Sequence, residues 1–319
     1  MTALPHRQLG TSGIEVSVVA LGSWQTYERI SREAGAAVLA RAREDGVDFL
    51  EVARYDDQTG TAPLRTGYSE VVFGEIFRAS GWPRDQVVIA DKLWWEFWPE
   101  QSAAQELDAS LERTGLDRFD FIYSDPPPAD LPMEEVVAAV GALVTSGKVR
   151  AWGIVNWPAE RIAEAGRVAT ALGVPGPSAA QLVYGLVRRS IVDDPAMAAA
   201  LRSCRASVVA SWALAGGVLT GKYAAGGASG RHAGTLDSPR VQPALRAVEP
   251  LRALAAEVGT TPAALAIAFA LANPEVATVL CGATSPDQVT ENVRGGELLA
   301  ALSEADLAAL TRIGAGEDG

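Results

Sequence analysis

Cysteine and histidine are nearly missing from this chain, with two of each: Cys204 and Cys281, His6 and His232. Two thiols so far apart in sequence offer neither a disulfide framework nor a zinc-ligand spacing, so free thiols in a cytoplasmic protein are the expectation. No apolar run reaches the length of a membrane span. Residues 1–10 lack the basic stretch and apolar core of a signal peptide, so none is expected. The G-x-G-x-x-G turn of a doubly wound dinucleotide fold is absent too. Positive charge is scarce: 27 Lys and Arg against 39 Asp and Glu leave a net charge of -12. That balance argues against nucleic acid or an anionic membrane as the main partner. No metal site is expected, and the oligomeric state is left open.

What is present is alternation. Residues 7–17 read as two short strands around the turn Thr11-Ser12-Gly13. Short apolar runs follow at 18–22, 47–52, 87–90, 119–124, 149–155, 179–183, 207–211 and 278–280. Each has the character of a strand buried on both faces. Between them the spacing predicts helices over 31–44, 69–79, 102–114, 132–145, 158–172, 195–201, 241–258 and 262–271. Ser31 is the expected N-cap of the first, and Gly46 its stop. Helices over 286–293 and 303–310 complete the chain. The segment 53–67 reads as a long polar loop, and 215–239 as a Gly-rich loop too polar to pack. Eight strand–helix repeats with no break in composition predict one domain over residues 1–319. The fold class is α/β, a (β/α)8 TIM barrel with an N-terminal β-hairpin and a C-terminal helix.

In such a barrel chemistry gathers where strands end. Those ends carry Trp24, Glu51, Lys92, Asp125, Asn156, Gln181, Ser211 and Gly282. The stretch QVVIADKLWWEFW, residues 86–98, is the most telling, because a buried run delivers Lys92 into a crowd of aromatic residues. A lysine there either snorkels to solvent or is paired by an acid. Two acids, a lysine and two amides around one mouth exceed what packing requires.

Several segments resemble the aldo-keto reductases, in the branch that contains potassium-channel β subunits and bacterial reductases. They are RQLGTSGIEVSVVALGSW at the start, SEVVFGE (69–75), SGKVRAWGIVNW (146–157), VLTGKY (218–223) and GATSPDQVTEN (282–292). The resemblance spans nearly the whole chain. It implies a nicotinamide dinucleotide, NADP(H) with NAD(H) as the alternative, lying across the barrel mouth. Carried over by position, Asn156 and Gln181 would hold the carboxamide. Ser211, Trp212 and Leu214 would lie along the nicotinamide and pyrophosphate, with Lys222 on the phosphates. Gly282, Thr284, Gln288, Glu291 and Asn292 would cradle the adenosine end. The helix beginning at Pro286 suits a phosphate, because its first amides are free and its dipole is positive there. Thr284 stands where many relatives are basic, and Arg231 or Arg240 would compensate.

The family's catalytic group is a tyrosine, a lysine, an aspartate and a histidine. Here Lys92 matches, and Glu51 takes the aspartate position with one more methylene. Tyr55, one residue early in FLEVARY, is preferred over Tyr68 as the proton donor. Asp125 replaces the histidine. It is read as a substrate-facing carboxyl, with a backbone-capping Asp-Pro turn as the alternative. Walled by Trp94, Trp95 and Trp98, a protonated Asp125 would donate to a carbonyl. In a related branch a carboxylic acid at this place accompanies reduction of a C=C bond conjugated to a ketone. An ionised Asp125 would suit a cationic or iminium substrate. Trp24, Trp94 and Trp95 are expected to bind the substrate, a small organic molecule. The reading is an NAD(P)H-dependent oxidoreductase acting on a carbonyl, conjugated enone or imine. The alternatives are a catalytically weak dinucleotide-binding barrel that senses redox state or serves a partner, and a non-redox enzyme that retains its cofactor.

Overall fold

A computed structural model describes residues 4–223 and 234–315. The chain opens with β1 (His6–Gln8) and β2 (Glu15–Ser17), antiparallel, with Arg7 opposite Val16. The turn between them uses left-handed backbone at Gly10 (φ +51°), where a Cβ would lie 2.0 Å from the Ser178 carbonyl oxygen. Only glycine tolerates both conditions, so the hairpin can lie flush against the barrel. Its apolar residues Leu9, Ile14 and Val16 are buried among Phe49, Val88, Phe121, Ala151 and Ala179. Each of those five is the first residue of its strand, so the hairpin plugs the N-terminal end of the barrel.

The barrel strands are β3 (Val19–Gly22), β4 (Phe49–Glu51), β5 (Val88–Leu93), β6 (Phe121–Ser124), β7 (Ala151–Val155), β8 (Ala179–Val183), β9 (Ser207–Ser211) and β10 (Val276–Cys281). All pairs are parallel, and β10 closes the sheet by pairing with both β9 and β3. The strands are buried on both faces, one against barrel interior and one against helices, which is why they read as continuous apolar runs. The fold is a closed (β/α)8 TIM barrel. Helices Arg32–Glu44, Tyr68–Ser80, Ala103–Thr114, Met133–Thr145 and Ala159–Leu172 follow successive strands. The Ser31 side chain accepts the Ala34 amide, and Ser102 forms a reciprocal capping box with Gln105. Among the described residues no single helix is long and apolar enough to cross a membrane.

Two expectations need correcting. The segment from residue 215 is not wholly unpacked: Ala215–Thr220 is a 3-10 turn, and Ala215, Val218, Leu219 and Tyr223 are buried against the helix Gln242–Val258. Its alternation of small and apolar residues was hidden by the glycines beside it. The helix expected over 286–293 continues as Pro286–Leu298. Gly295 and Gly296 look like a stop in sequence, yet a Cβ on Gly295 would sit 2.5 Å from the Ile267 side chain. Gly295 allows close approach to the helix Pro262–Ala272, and Gly296 to Leu4 and β3 with the residue before it, rather than ending the helix they sit in.

Leu9 is fully buried at the plug. Leu9→Ala is expected to cost about 2–5 kcal/mol, as for other core leucines. Urea unfolding checks it: a midpoint loss worth less than about 1 kcal/mol at unchanged slope would show that the hairpin is no part of the core.

Candidate active site

The last inward residues of β4 and β5 are Glu51 and Lys92, both buried, at 2% and 5% exposure. Lys92 Nζ and a Glu51 carboxylate oxygen form a salt bridge. Lys92 Nζ also donates to Tyr55 Oη at 2.6 Å, and Tyr55 Oη donates to Glu51 Oε1 at 2.7 Å. Three of the four side chains expected to be catalytic therefore meet within hydrogen-bond distance. Burial first, then the Glu51 carboxylate, pushes the Tyr55 phenol well above its usual range. Tyr68 lies elsewhere: its hydroxyl accepts from Arg32 at 3.0 Å, at the start of the helix Tyr68–Ser80.

Tyr55 is one residue out of the family's register, so something must hold it. The Tyr55 amide donates to Ser69 Oγ at 3.1 Å, Ser69 Oγ donates to the Ala53 carbonyl at 2.5 Å, and the Gly67 amide donates to the Tyr55 carbonyl at 3.1 Å. Both ends of the 53–67 loop are thereby fastened around the phenol. Ser69 lies within the SEVVFGE segment, and that was the only signal of its role. Arg54, the preceding residue, bonds Thr66 and Glu96 instead. With Phe97 and Glu106 it lines a cavity of about 380 Å³ beside the loop.

The tryptophans divide. Trp94 stays partly exposed and meets the Tyr55 ring edge-on, with centroids 5.8 Å apart at 79°. Trp24, just beyond β3, is partly exposed as well. Trp95 was expected at the substrate, but it is 3% exposed and its indole N–H donates to Ser124 Oγ at 2.8 Å. It builds the wall behind the site. Its backbone is left-handed, φ +60°, a conformation costly for a bulky residue. Glu106, which the sequence reading missed, holds it there: one carboxylate oxygen accepts the Trp94 amide at 2.7 Å and the other the Trp95 amide at 3.2 Å.

Asp125 follows β6, and its amide donates to the Leu93 carbonyl at 2.8 Å. Among the described residues nothing hydrogen-bonds to its carboxylate, so the backbone-capping alternative has no bond to support it. Burial pushes this carboxyl up to about 6, Lys92 pulls it down, and Glu106 pushes it up. Behind the strand, Asp91 accepts the Lys92 amide at 2.6 Å. Burial and the adjacent Glu70 push Asp91 well above the usual carboxylate range.

The residues expected at the cofactor surround the far side of the same strand ends. Gln181 lies in the middle of β8, and its Oε1 is buried without a partner. Asn156 is exposed directly after β7, in left-handed backbone. Ser211 donates to the Leu182 carbonyl at 3.0 Å, and Leu214 is half-buried. The Trp212 ring lies under the guanidinium groups of Arg240 and Arg188, at 4.4 and 5.3 Å. Lys222 is exposed, with its ammonium 5.0 Å from the Tyr223 ring centre. Gly282 and Thr284 follow β10 and are exposed. The Thr284 amide and hydroxyl donate to Gln288 Oε1 at 2.8 and 3.2 Å. Glu291 is half-buried, and Asn292 is buried with Nδ2 unpartnered. Ser285 makes no side-chain cap to the helix that follows, which leaves its first amides available. Arg231 and His232 lie outside the described residues.

These residues fit a dinucleotide. Two buried amide atoms without partners, Gln181 Oε1 and Asn292 Nδ2, are costly unless a ligand or water completes them. They sit near the mouth, on elements the resemblance assigns to opposite ends of one cofactor.

Residues 18–315 match the family profile described as the aldo/keto reductase family. A probable voltage-gated potassium channel subunit beta of Oryza sativa subsp. japonica is 31% identical over 94% of this chain and 93% of its own length. Its counterpart in Arabidopsis thaliana is 30% identical over the same shares. A putative voltage-gated potassium channel subunit beta of Schizosaccharomyces pombe is 32% identical, over 94% of this chain and 90% of its own.

The Asp125 carboxyl makes stability depend on pH. Its folded value lies above its ordinary 3.8, so the contribution is fully present below about 4 and lost as pH rises through about 6. The full shift corresponds to about 3 kcal/mol, which the half-exposed setting reduces to roughly 1 kcal/mol. Asp125→Asn is therefore expected to stabilise the fold at pH 8 and to change little at pH 4. Urea midpoints at both pH values measure this, and an equal effect at the two would refute the stated origin.

Proposed function

This chain belongs to the aldo/keto reductase family, and from that premise we propose that it is an NAD(P)H-dependent oxidoreductase. Its substrate is a small organic molecule with a carbonyl, conjugated enone or imine. The observation that carries the reading is the contact of Lys92, Tyr55 and Glu51 at the mouth of the barrel. Such a cluster is more than packing needs, since a buried ion pair yields no clear gain over apolar residues of the same volume.

When bound, the dinucleotide supplies the hydride. The chain's own groups do the rest. Asn156 and Gln181 orient the carboxamide, Ser211, Trp212 and Leu214 lie along the nicotinamide and pyrophosphate, and Lys222 meets the phosphates. Gly282, Thr284, Gln288, Glu291 and Asn292 hold the adenosine end. Arg240, exposed over Trp212, stands in for the basic residue lacking at Thr284 and supports NADP(H) over NAD(H). Where the substrate is a neutral carbonyl or enone, Lys92 stabilises negative charge as it develops on the Tyr55 oxygen. Trp94 and Trp24 shield the reacting atoms from water. Asp125 meets the substrate where relatives place histidine.

A second reading has a specific observation behind it. The relatives reported above carry the names of channel subunits, and this site lacks the family's histidine. A dinucleotide-binding barrel that serves a partner protein would show cofactor binding with no product. Product without net loss of reduced nicotinamide would indicate instead a non-redox enzyme that retains its cofactor. Stoichiometric loss of nicotinamide absorbance supports the reductase alone.

Lys92→Met is expected to keep dinucleotide affinity while lowering hydride transfer by about 10²–10⁴-fold. Fluorescence titration and single-turnover absorbance measure the two separately. Unchanged turnover would remove Lys92 from the chemistry.

A further inference from the structure

The single proton of Tyr55 is held by Glu51. An ammonium only donates, so the phenol oxygen accepts from Lys92 at 2.6 Å. The phenol's own proton then has Glu51 Oε1, at 2.7 Å, as its acceptor. An aspartate at this position would be one methylene shorter. The longer Glu51 brings its carboxylate to the phenol, and its second oxygen is buried without a partner. Reduction of a neutral ketone needs a proton delivered to the carbonyl oxygen as hydride arrives. Here the family's donor is committed to a carboxylate.

The charge at the mouth points the same way. Glu51 balances Lys92, and the Glu106 carboxylate is committed to the Trp94 and Trp95 amides. Asp125 is left half-buried with no hydrogen-bond donor among the described residues. Trp94, which follows the Leu93 that accepts the Asp125 amide and meets the Tyr55 ring edge-on, keeps part of its ring exposed, as does Trp24 just beyond β3. A carboxylate with aromatic faces attracts a cation and repels a developing oxyanion.

We propose that the substrate group is an iminium cation, held by Asp125 and the tryptophan faces, and that the site is built to reduce C=N⁺ rather than neutral C=O. This rests on the hydride-transfer reading above. Hydride adds to the iminium carbon, the C=N π pair moves to nitrogen, the product is a neutral amine, and the reduced nicotinamide is oxidised. The charge on substrate is discharged by the hydride itself, so Tyr55 need not release its proton. Tyr55 and Glu51 then carry no proton to the substrate, and Lys92, bonded to both, positions this floor of the mouth, so its loss still slows hydride transfer.

The pH dependence separates the two chemistries. Lys92 on β5 and Glu106 on the helix Ala103–Thr114 are the charged groups that act on Asp125, and with burial they set its carboxyl at about 6. Iminium reduction is expected to rise through pH 6 as Asp125 ionises, and to fall when the imine loses its own proton. A ketone that needs Asp125 as donor would be reduced more slowly as pH rises through the same value.

The test uses the full chain with NADPH, 2-methyl-1-pyrroline as the imine and cyclopentanone as the ketone. Binding of the saturated amine 2-methylpyrrolidine is read by tryptophan fluorescence. Removing the charge partner is expected to weaken a charge-assisted contact about tenfold or more. Asp125→Asn should therefore lose amine binding and the imine preference while retaining NADPH affinity. Glu51→Asp should free the phenol's proton and raise ketone reduction relative to imine. A preference for cyclopentanone at pH 7, or Asp125→Asn slowing both substrates equally, would overturn the proposal. Asp125-dependent amine binding with no turnover of either substrate would uphold the cation site and remove the hydride-transfer reading instead.

Discussion

A lysine ammonium at 5% exposure is tolerable only where opposite charge meets it, since desolvation costs several kcal/mol per ion. Glu51 meets Lys92 from the neighbouring strand, and the register decides this. Glu51 is level with Ala90, so the lysine two residues further on projects just beyond the carboxylate. Both side chains point inward because strand residues alternate, and both stand at strand ends because the barrel is packed solid below them. Tyr123, paired in register with Lys92, closes that floor with a buried ring. Removal of either charged partner would leave the other buried and unpaired, which makes this contact the constraint that the mouth is arranged around.

The next layer consists of groups that fix loops rather than touch a substrate. Ser69 fastens the backbone of Tyr55, and Glu106 fastens the amides of Trp94 and Trp95. Each comes from a helix that follows the strand it serves, so helix packing is transmitted to the mouth through one side chain. The left-handed backbone at Trp95 costs of order 1–3 kcal/mol. The Glu106 bonds and the indole bond to Ser124 offset it, and Trp94 is presented to the phenol as a result. A loop whose tyrosine stands one residue out of the family's register can thus keep it in place.

Sequence periodicity made most of the fold legible, for physical reasons that differ by element. Strands buried on both faces betray themselves as apolar runs, so β8 and β9 lie where the pattern put them. Ser31 and Ser102 gave true helix starts because a capped N-terminus is a local event. Gly295 and Gly296 hid the last turn of the helix Pro286–Leu298, because the same residue serves as a stop and as a close-packing contact and only the neighbouring elements decide which. Trp95 misled in a similar way. Its neighbours faced a cleft, but a left-handed residue at that point turned its ring into the wall. Glu106 was invisible, since a glutamate on an amphipathic helix ordinarily faces solvent.

One methylene separates two chemistries in this mouth. With an aspartate at the end of β4, the carboxylate would pair with the lysine alone and leave the phenol's proton for the substrate. With Glu51 the carboxylate reaches both. The loss of the histidine and the gain of the longer acid are then not two unrelated departures. The first removes the neutral donor that orients a carbonyl, and the second withdraws the proton that would complete its reduction. A cationic substrate needs neither donor, and it gains from the negative charge that Asp125 leaves unbalanced. On the proposed iminium reading the two substitutions agree with each other, because the substrate brings the missing positive charge.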